Sequence, residues 1–165
     1  TAKKHAIQYL LLQNMLNTPE STSGLRDLVK SRALLKLIRE LEDRNFRVIY
    51  QPRAGLDYFS PDVEKAKIQL AAVSALMADV ESENTKSPEI VHVVSYSEAL
   101  FLAGPDVINE SIQIAKAALH HYPEYRHRHA IYDLIHNKDL AAQTQELAEE
   151  THELIRDMEK RVKKN

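Results

Sequence analysis

The sequence predicts an α/β fold, helix-rich, built on a parallel βαβ core and finished by a long amphipathic C-terminal helix. Three features predict it. The run FRVIYQ, Phe46 to Gln51, is β-branched and aromatic, too short for a helix, and halted by Pro52. The run IVHVVS, Ile90 to Ser95, is apolar on both parities except at His92, as in a strand buried on both sides of a parallel sheet. Between them, from Val63 to about Glu83, lies an alanine-rich segment long enough to be a crossover helix. A crossover of that length joins parallel strands in the right-handed sense.

The remaining elements follow from punctuation and periodicity. A first helix is expected from about Lys3 to Leu16, stopping at NTPESTSG, a loop by composition. A second helix, LRDLVKSRALLKLIRELEDR, places Leu25, Leu28, Val29, Leu34, Leu35, Leu37, Ile38 and Leu41 at helical spacing, with acids and bases alternating on its exposed positions. SPD opens the crossover helix, with Ser60 as N-cap and Pro61 in the first helical position. NTKSPE ends that helix. After the second strand, SEALFLAG reads as a short helix closed by Gly104, and Pro105 and Asp106 start another, with Val107, Ile108, Ile112, Ala115 and Leu119 in phase. From Asp139 to Lys164 a last helix carries Leu140, Leu147, Thr151, Leu154, Met158 and Val162 as a narrow stripe. The organisation is a barrel-like α/β segment over residues 1–138 and a C-terminal amphipathic helix of the same domain over residues 139–165.

Bulk composition excludes several function classes. A chain of 165 residues suits one domain with a real core. Its 22 basic and 24 acidic side chains leave a net charge of −2, which argues against a general nucleic-acid or anionic-membrane binder. The absence of cysteine removes disulfides, thiolate zinc sites and a cysteine nucleophile, and fits a cytoplasmic protein. No apolar run approaches the roughly 20 residues that cross a bilayer, and no signal-peptide layout is visible. The chain starts at Thr1, not Met, as a processed product or a segment of a longer chain would. There is no GxGxxG, GxxxxGK, GxSxG or EF-hand loop, so the chain carries no recognisable nucleotide site or hydrolase nucleophile. Five of the eight histidines fall between His120 and His136, but the spacing of His127 and His129 does not put both rings on one helical face, and no metal site is expected there.

In parallel α/β folds ligands bind at the carboxyl ends of the strands. That rule brings Gln51, Pro52, Arg53, Ala54, Gly55, Leu56, Asp57 and Tyr58 to the same rim as Ser95, Tyr96, Ser97 and Glu98. Arginine beside glycine suits a carboxylate or phosphate, since guanidinium is a bidentate fork and glycine admits a ligand to the backbone. Tyr58, Tyr96 and Ser97 can donate to the same group. The alternative is structural: Arg53 pairs with Asp57, and Ser97 caps the next helix with Glu98 in its first turn. His92, alone within a strand, reads first as a hydrogen-bonded core residue.

Three stretches, QNMLNTPESTSG, QPRAGLDYFSPDVEKAKIQLAAVSALM and EIVHVVSYSEALFLAGPDVINESI, together resemble the last part of the barrel subunit in the aminomutases that use adenosylcobalamin and pyridoxal phosphate, the lysine 5,6-aminomutase and ornithine 4,5-aminomutase group. The likeness spans roughly Ala6 to Leu119. It implies a TIM-type barrel that closes over cobalamin and holds substrate and pyridoxal phosphate at its carboxyl rim. An amino group then moves between adjacent carbons of a basic amino acid by a radical route, with the cofactors carrying the hard chemistry. Arg53, Tyr96 and Ser97, with Gln51 and Asp57 beside them, would contact substrate carboxylate or cofactor phosphate. The family's Asp-x-His-x-x-Gly cobalamin motif is missing: DLIHNKD, at Asp133, has its histidine one place too far and lacks the glycine. No lysine stands out as a Schiff-base former. Both belong to a separate Rossmann-like region in that family, so the partners implied are that region or subunit, the rest of the barrel and the amino-acid substrate.

A complete barrel needs eight strands and about 250 residues, and two strands are expected here. The chain is therefore an incomplete barrel or a small domain whose helices cover the sheet edges. The competing reading is a helical adaptor that docks a partner through its C-terminal helix.

Overall fold

Two parallel strands, β1 (Tyr9–Leu16) and β2 (Arg47–Ala54), form the sheet of the computed structural model, which describes residues 2–19 and 21–162. They pair in continuous register from Tyr9 opposite Arg47 to Leu16 opposite Ala54. The chain is α/β, as its composition of elements predicts, but β1 replaces the expected first helix; before it, Ala2–His5 make only a turn of 3-10 helix. YLLLQNML is apolar on both parities over eight residues, which is the pattern of a buried parallel strand. Leucine's helix propensity is worth only tenths of a kcal/mol per residue, less than a full ladder with β2.

β2 confirms the FRVIYQ strand and extends it through Pro52 to Ala54. The crossover between β1 and β2 is α1 (Gly24–Arg39), whose N-cap Ser23 accepts from the Arg26 amide at 3.4 Å. α2 (Val63–Ala78) begins two residues later than the SPD motif suggests. Asp62 is its cap, accepting from the Glu64 and Lys65 amides at 3.1 and 3.3 Å, while Ser60 accepts from the Asp62 amide.

The segment 90–94 runs beside β2 but does not complete a strand. The Ile90 amide donates to Tyr50 O at 3.2 Å and the His92 amide to Pro52 O at 3.1 Å, and only Arg53 and His92 form a parallel bridge. The donors that β2 should return are spent or missing. Glu42 accepts from the Val48 amide at 2.8 Å, Glu89 accepts from the Tyr50 amide at 2.9 Å, and Pro52 has no N–H. SEALFLAG is likewise not a helix. Leu100 and Phe101 donate to Ser97 O in a single turn, and Leu100, Phe101 and Leu102 stay exposed because nothing lies against them. Gly104 closes no helix. It is the N-cap of α3 (Pro105–His127), with Pro105 in the first turn.

Both crossover helices lie on one side of the sheet. Leu16, Val48, Tyr50 and Ala54 point that way and are buried. There Tyr50 meets Leu28, Val29 and Leu35 of α1, and Leu16 and Ala54 meet Ala66, Leu70, Val73 and Met77 of α2. α3 packs on α2 and α4 (Lys138–Val162) on α1. α4 is the expected amphipathic helix; the expected Lys163 and Lys164 lie outside the described residues. It runs in the same sense as α1, with Lys36 meeting Gln145 and Glu40 meeting His152. Only part of its stripe is covered: Leu140 is buried, whereas Leu154, Met158 and Val162 are exposed.

At the amino-terminal end of the strands two charged knots hold the layers together. Arg39 grips Glu81 with two bonds, at 2.9 and 2.8 Å, and also reaches Val48 O, Glu42 and Glu89. Asp79, fully buried at the end of α2, accepts from Tyr122 and from Arg126 at 2.6 Å, while Arg32 donates to its carbonyl at 2.7 Å and to Leu134 O. Burial pushes the Asp79 carboxyl up against the pull of Tyr122 and Arg126, and burial together with Asp79 raises the Tyr122 hydroxyl.

Replacing Asp79 by alanine leaves Arg126 and Tyr122 without their acceptor, and a loss of about 3 kcal/mol is expected. It is read as a lower urea midpoint at unchanged slope. The knot of Arg39 and Glu81 sets the acid limit. Burial raises the Glu81 carboxyl, but the hydrogen bonds and charge of Arg39 outweigh it and hold the group below its ordinary range. A depressed carboxylate stabilises the fold above its unfolded pKa of about 4.3 and ceases to as pH falls through the lower folded value. Unfolding free energy should therefore drop below about pH 4, and Glu81→Gln should flatten that drop while costing about 2 kcal/mol at neutral pH. An unchanged acid limb in the variant would remove Arg39 and Glu81 from this role.

Candidate binding site on the open sheet face

The side of the sheet away from the helices is bare. Along β1, Tyr9, Leu11 and Met15 are 63%, 51% and 49% exposed, while the alternate residues are at least half covered. Strand alternation and register place Tyr9, Leu11, Gln13 and Met15 of β1 on this face opposite Arg47, Ile49, Gln51 and Arg53 of β2. Tyr9, Leu11 and Ile49 lie with Arg47 in the amino-terminal half, and Gln13, Gln51, Arg53 and His92 gather with Met15 toward the carboxyl rim.

Arg53 is half-buried. Its Nε donates to Ala54 O at 3.2 Å, and among the described residues no carboxylate lies within ion-pair distance of it. The expected alternative, an Arg53–Asp57 pair, does not form. Asp57 sits in the 3-10 turn Leu56–Tyr58 and accepts from Thr18 Oγ1 at 3.3 Å. Gly55 lies against the same threonine: a Cβ there would stand 1.7 Å from Thr18 Oγ1, and the Gly55 amide donates to Leu16 O at 2.9 Å. The glycine is required by the close approach of the two strand ends, so its role is to shape the rim.

Gln51 and Arg53 are thus brought together, with Asp57 beyond them, but Tyr96 and Ser97 are not. Tyr96 is buried in the α2–α3 core, where its hydroxyl donates to Glu110, itself paired with Lys67 at 2.7 Å. Lys67 first, then the Tyr96 hydroxyl, hold the Glu110 carboxyl low; Glu110 raises both partners. Ser97 is fully buried beside Ser95, 3.1 Å between hydroxyls, with Ser111 of α3 next to them. Both side chains anchor the chain between the sheet and α3, because after His92 the backbone leaves the strand and turns inward.

Two residues of the open face escape the sequence reading. Gln13 falls within the expected first helix, and His92 reads from sequence as a hydrogen-bonded core residue. In the structure Gln13 Nε2 lies 3.2 Å from His92 Nδ1, a contact that crosses β2. Alternation in a strand recognised as such would have put Gln13 level with Gln51.

Among the described residues no three His, Cys, Asp or Glu side chains are placed to hold a metal ion, and no helix is long and apolar enough to cross a membrane. Asp133 and His136 bond at 2.6 Å in the loop before α4. That loop is tied by Leu134 O to Arg32 and Asp79, at the end of the strands opposite the rim.

Gly55→Ala should cost about 1–3 kcal/mol, as overpacking does, and separate the rim ends of β1 and β2. Amide exchange at Gly55 checks this: exchange as slow in the alanine variant as in the wild type would show that the rim absorbs the methyl.

Comparison with family models, with curated proteins and with solved structures returns no match.

Proposed function

We propose that this chain contributes consecutive βα units to a TIM-type barrel of an aminomutase that uses adenosylcobalamin and pyridoxal phosphate. In that reaction an amino group and a hydrogen exchange places on adjacent carbons of a basic amino acid by a radical route. The observation that carries the reading is the one-sided cover of the sheet. β1, α1, β2, α2 and the segment 90–94 follow in order with both helices on one face, while the other face carries no helix and brings Gln13, Gln51 and Arg53 toward the rim. A barrel has helices outside and its ligand at the carboxyl end of the inner face.

The open face of this chain supplies neither a Schiff-base lysine nor a cobalt ligand. Schiff-base chemistry needs a lysine, and β1 and β2 place none on the open face; Lys67 is engaged by Glu110 on the helix side. His136 is at the wrong end of the strands to face a rim ligand. Lysine and cobalt ligand would come from the rest of the barrel and a Rossmann-like partner. What this chain supplies is Arg53, whose guanidinium keeps donors for a substrate carboxylate or a cofactor phosphate, with Gln51 beside it and Asp57 at the lip.

α4 favours a second reading. Its last turns present Leu154, Ile155, Met158 and Val162, 44–77% exposed, as an adaptor helix would. Isolation of the chain from its native extract separates the two. A larger partner carrying cobalamin or pyridoxal-phosphate absorbance supports the barrel, and a colourless complex that depends on α4 supports the adaptor. In the coloured complex Arg53→Ala should leave the fold intact and cut anion or substrate binding at least tenfold, the worth of a charged hydrogen bond. Unaltered binding in that variant would remove Arg53 from the site.

A further inference from the structure

We infer that His92 is a second oxyanion-contacting residue of the open face, held in place by Gln13. The inference rests on the rim being an oxyanion site; it does not depend on the aminomutase chemistry. The parallel bridge sets His92 beside Arg53 on neighbouring chain segments, with backbones about 4.8 Å apart. Gln13 belongs to β1, two positions along the sheet, and its amide reaches over β2 to His92 Nδ1 at 3.2 Å. With that amide as donor, Nδ1 is the acceptor, and the imidazole proton resides on Nε2. The ring is thereby fixed with an N–H to offer.

The charges on this face ask for an anion. Its β1 and β2 positions are Tyr9, Leu11, Gln13, Met15, Arg47, Ile49, Gln51 and Arg53, with no carboxylate among them. Arg53 spends only Nε on the backbone, which leaves the terminal guanidinium nitrogens, the Gln51 amide and His92 Nε2–H as neighbouring donors around one fixed positive charge. Donors so placed recognise a carboxylate or a phosphate, the two oxyanions that bind bidentate to guanidinium. A structural tie between β1 and the segment 90–94 would use the Gln13–His92 bond alone and would give Nε2 no ligand to sense.

The test uses the full chain with 15N-labelled histidine at mildly alkaline pH, titrated separately with acetate and with inorganic phosphate. His92 is assigned by the signals lost in His92→Phe. The expected wild-type spectrum has the proton on Nε2, and that resonance moves on addition of one anion or both; the anion that binds tighter identifies the class. His92→Phe and His92→Gln should each weaken that binding about tenfold with the circular dichroism unchanged, and Gln13→Leu should weaken it severalfold and mix the tautomers. A proton on Nδ1, or an Nε2 signal that neither anion moves while Arg53→Ala still abolishes binding, overturns the role of His92 and leaves the Arg53 site standing. Wild-type protein that binds neither anion overturns the oxyanion site itself.

Discussion

Parallel strands cannot be joined by a tight turn, and from that constraint the rest of this structure follows. Each crossover needs a helix, each helix must bury its apolar stripe on the sheet, and neighbouring strands taken in order with one hand of crossover put every helix on the same side. α1 and α2 obey, and the core they make with Leu16, Tyr50 and Ala54 is one-sided. α3 and α4 then add to the helical layer, where α2 and α1 still have apolar surface, and not to the sheet. The bare face is a consequence of connectivity and needs no special residues to create it.

Connectivity alone would leave the amino-terminal end of the sheet frayed, and charge closes it. Arg39 gathers Glu42, Glu81 and Glu89, and two of those carboxylates use their remaining lone pairs to accept from the β2 amides of Val48 and Tyr50. Arginine's planar fork suits this, since it can hold a carboxylate bidentate and still reach a carbonyl. The same arrangement stops the segment 90–94 from becoming a full strand, because the amides that would pair with it are occupied. Rigidity at this end and incompleteness at the sheet edge share one cause. Along that edge the apolar side chains of Val91, Val93, Ile108, Ile112 and Leu119 line an open groove between the segment and α3.

The sequence was most legible where a signal is local. A β-branched run, the SPD start before an alanine-rich helix, and proline after Gly104 each mark an element by backbone chemistry, and β2, α2, α3 and α4 lie close to where they were expected, although β2 continues through Pro52 and Asp62 takes the capping role expected of Ser60. It was least legible where an assignment depends on a distant partner. YLLLQNML satisfies helix and strand propensities alike, and only β2, more than thirty residues on, decides between them. SEALFLAG has helical residues but no surface to bury them against. At the site, position along the chain identified Gln51, Arg53 and Asp57 as rim residues. It failed for Tyr96 and Ser97, which adjoin a strand end but turn toward α3, and for Gln13, whose face was invisible while β1 was read as a helix.

The open face links architecture to the proposed use. Tyr9, Leu11 and Ile49 sit with Arg47 at one end, and Gln13, Gln51, Arg53 and His92 sit with Met15 at the other. On the proposed reading, the donors gathered at the rim end are what a ligand would meet. The rim end is also where the chain crosses from strand to helix, and the Gly55 amide, donating to Leu16 O at 2.9 Å, ties two such crossings together. Arg53 precedes Gly55 by two residues, so the guanidinium proposed to meet an anion stands next to the point where the strand ends are bonded to each other. On that reading a change at Gly55 acts on anion binding through the position of Arg53, and the strength of binding becomes a measure of how well the strand ends are held.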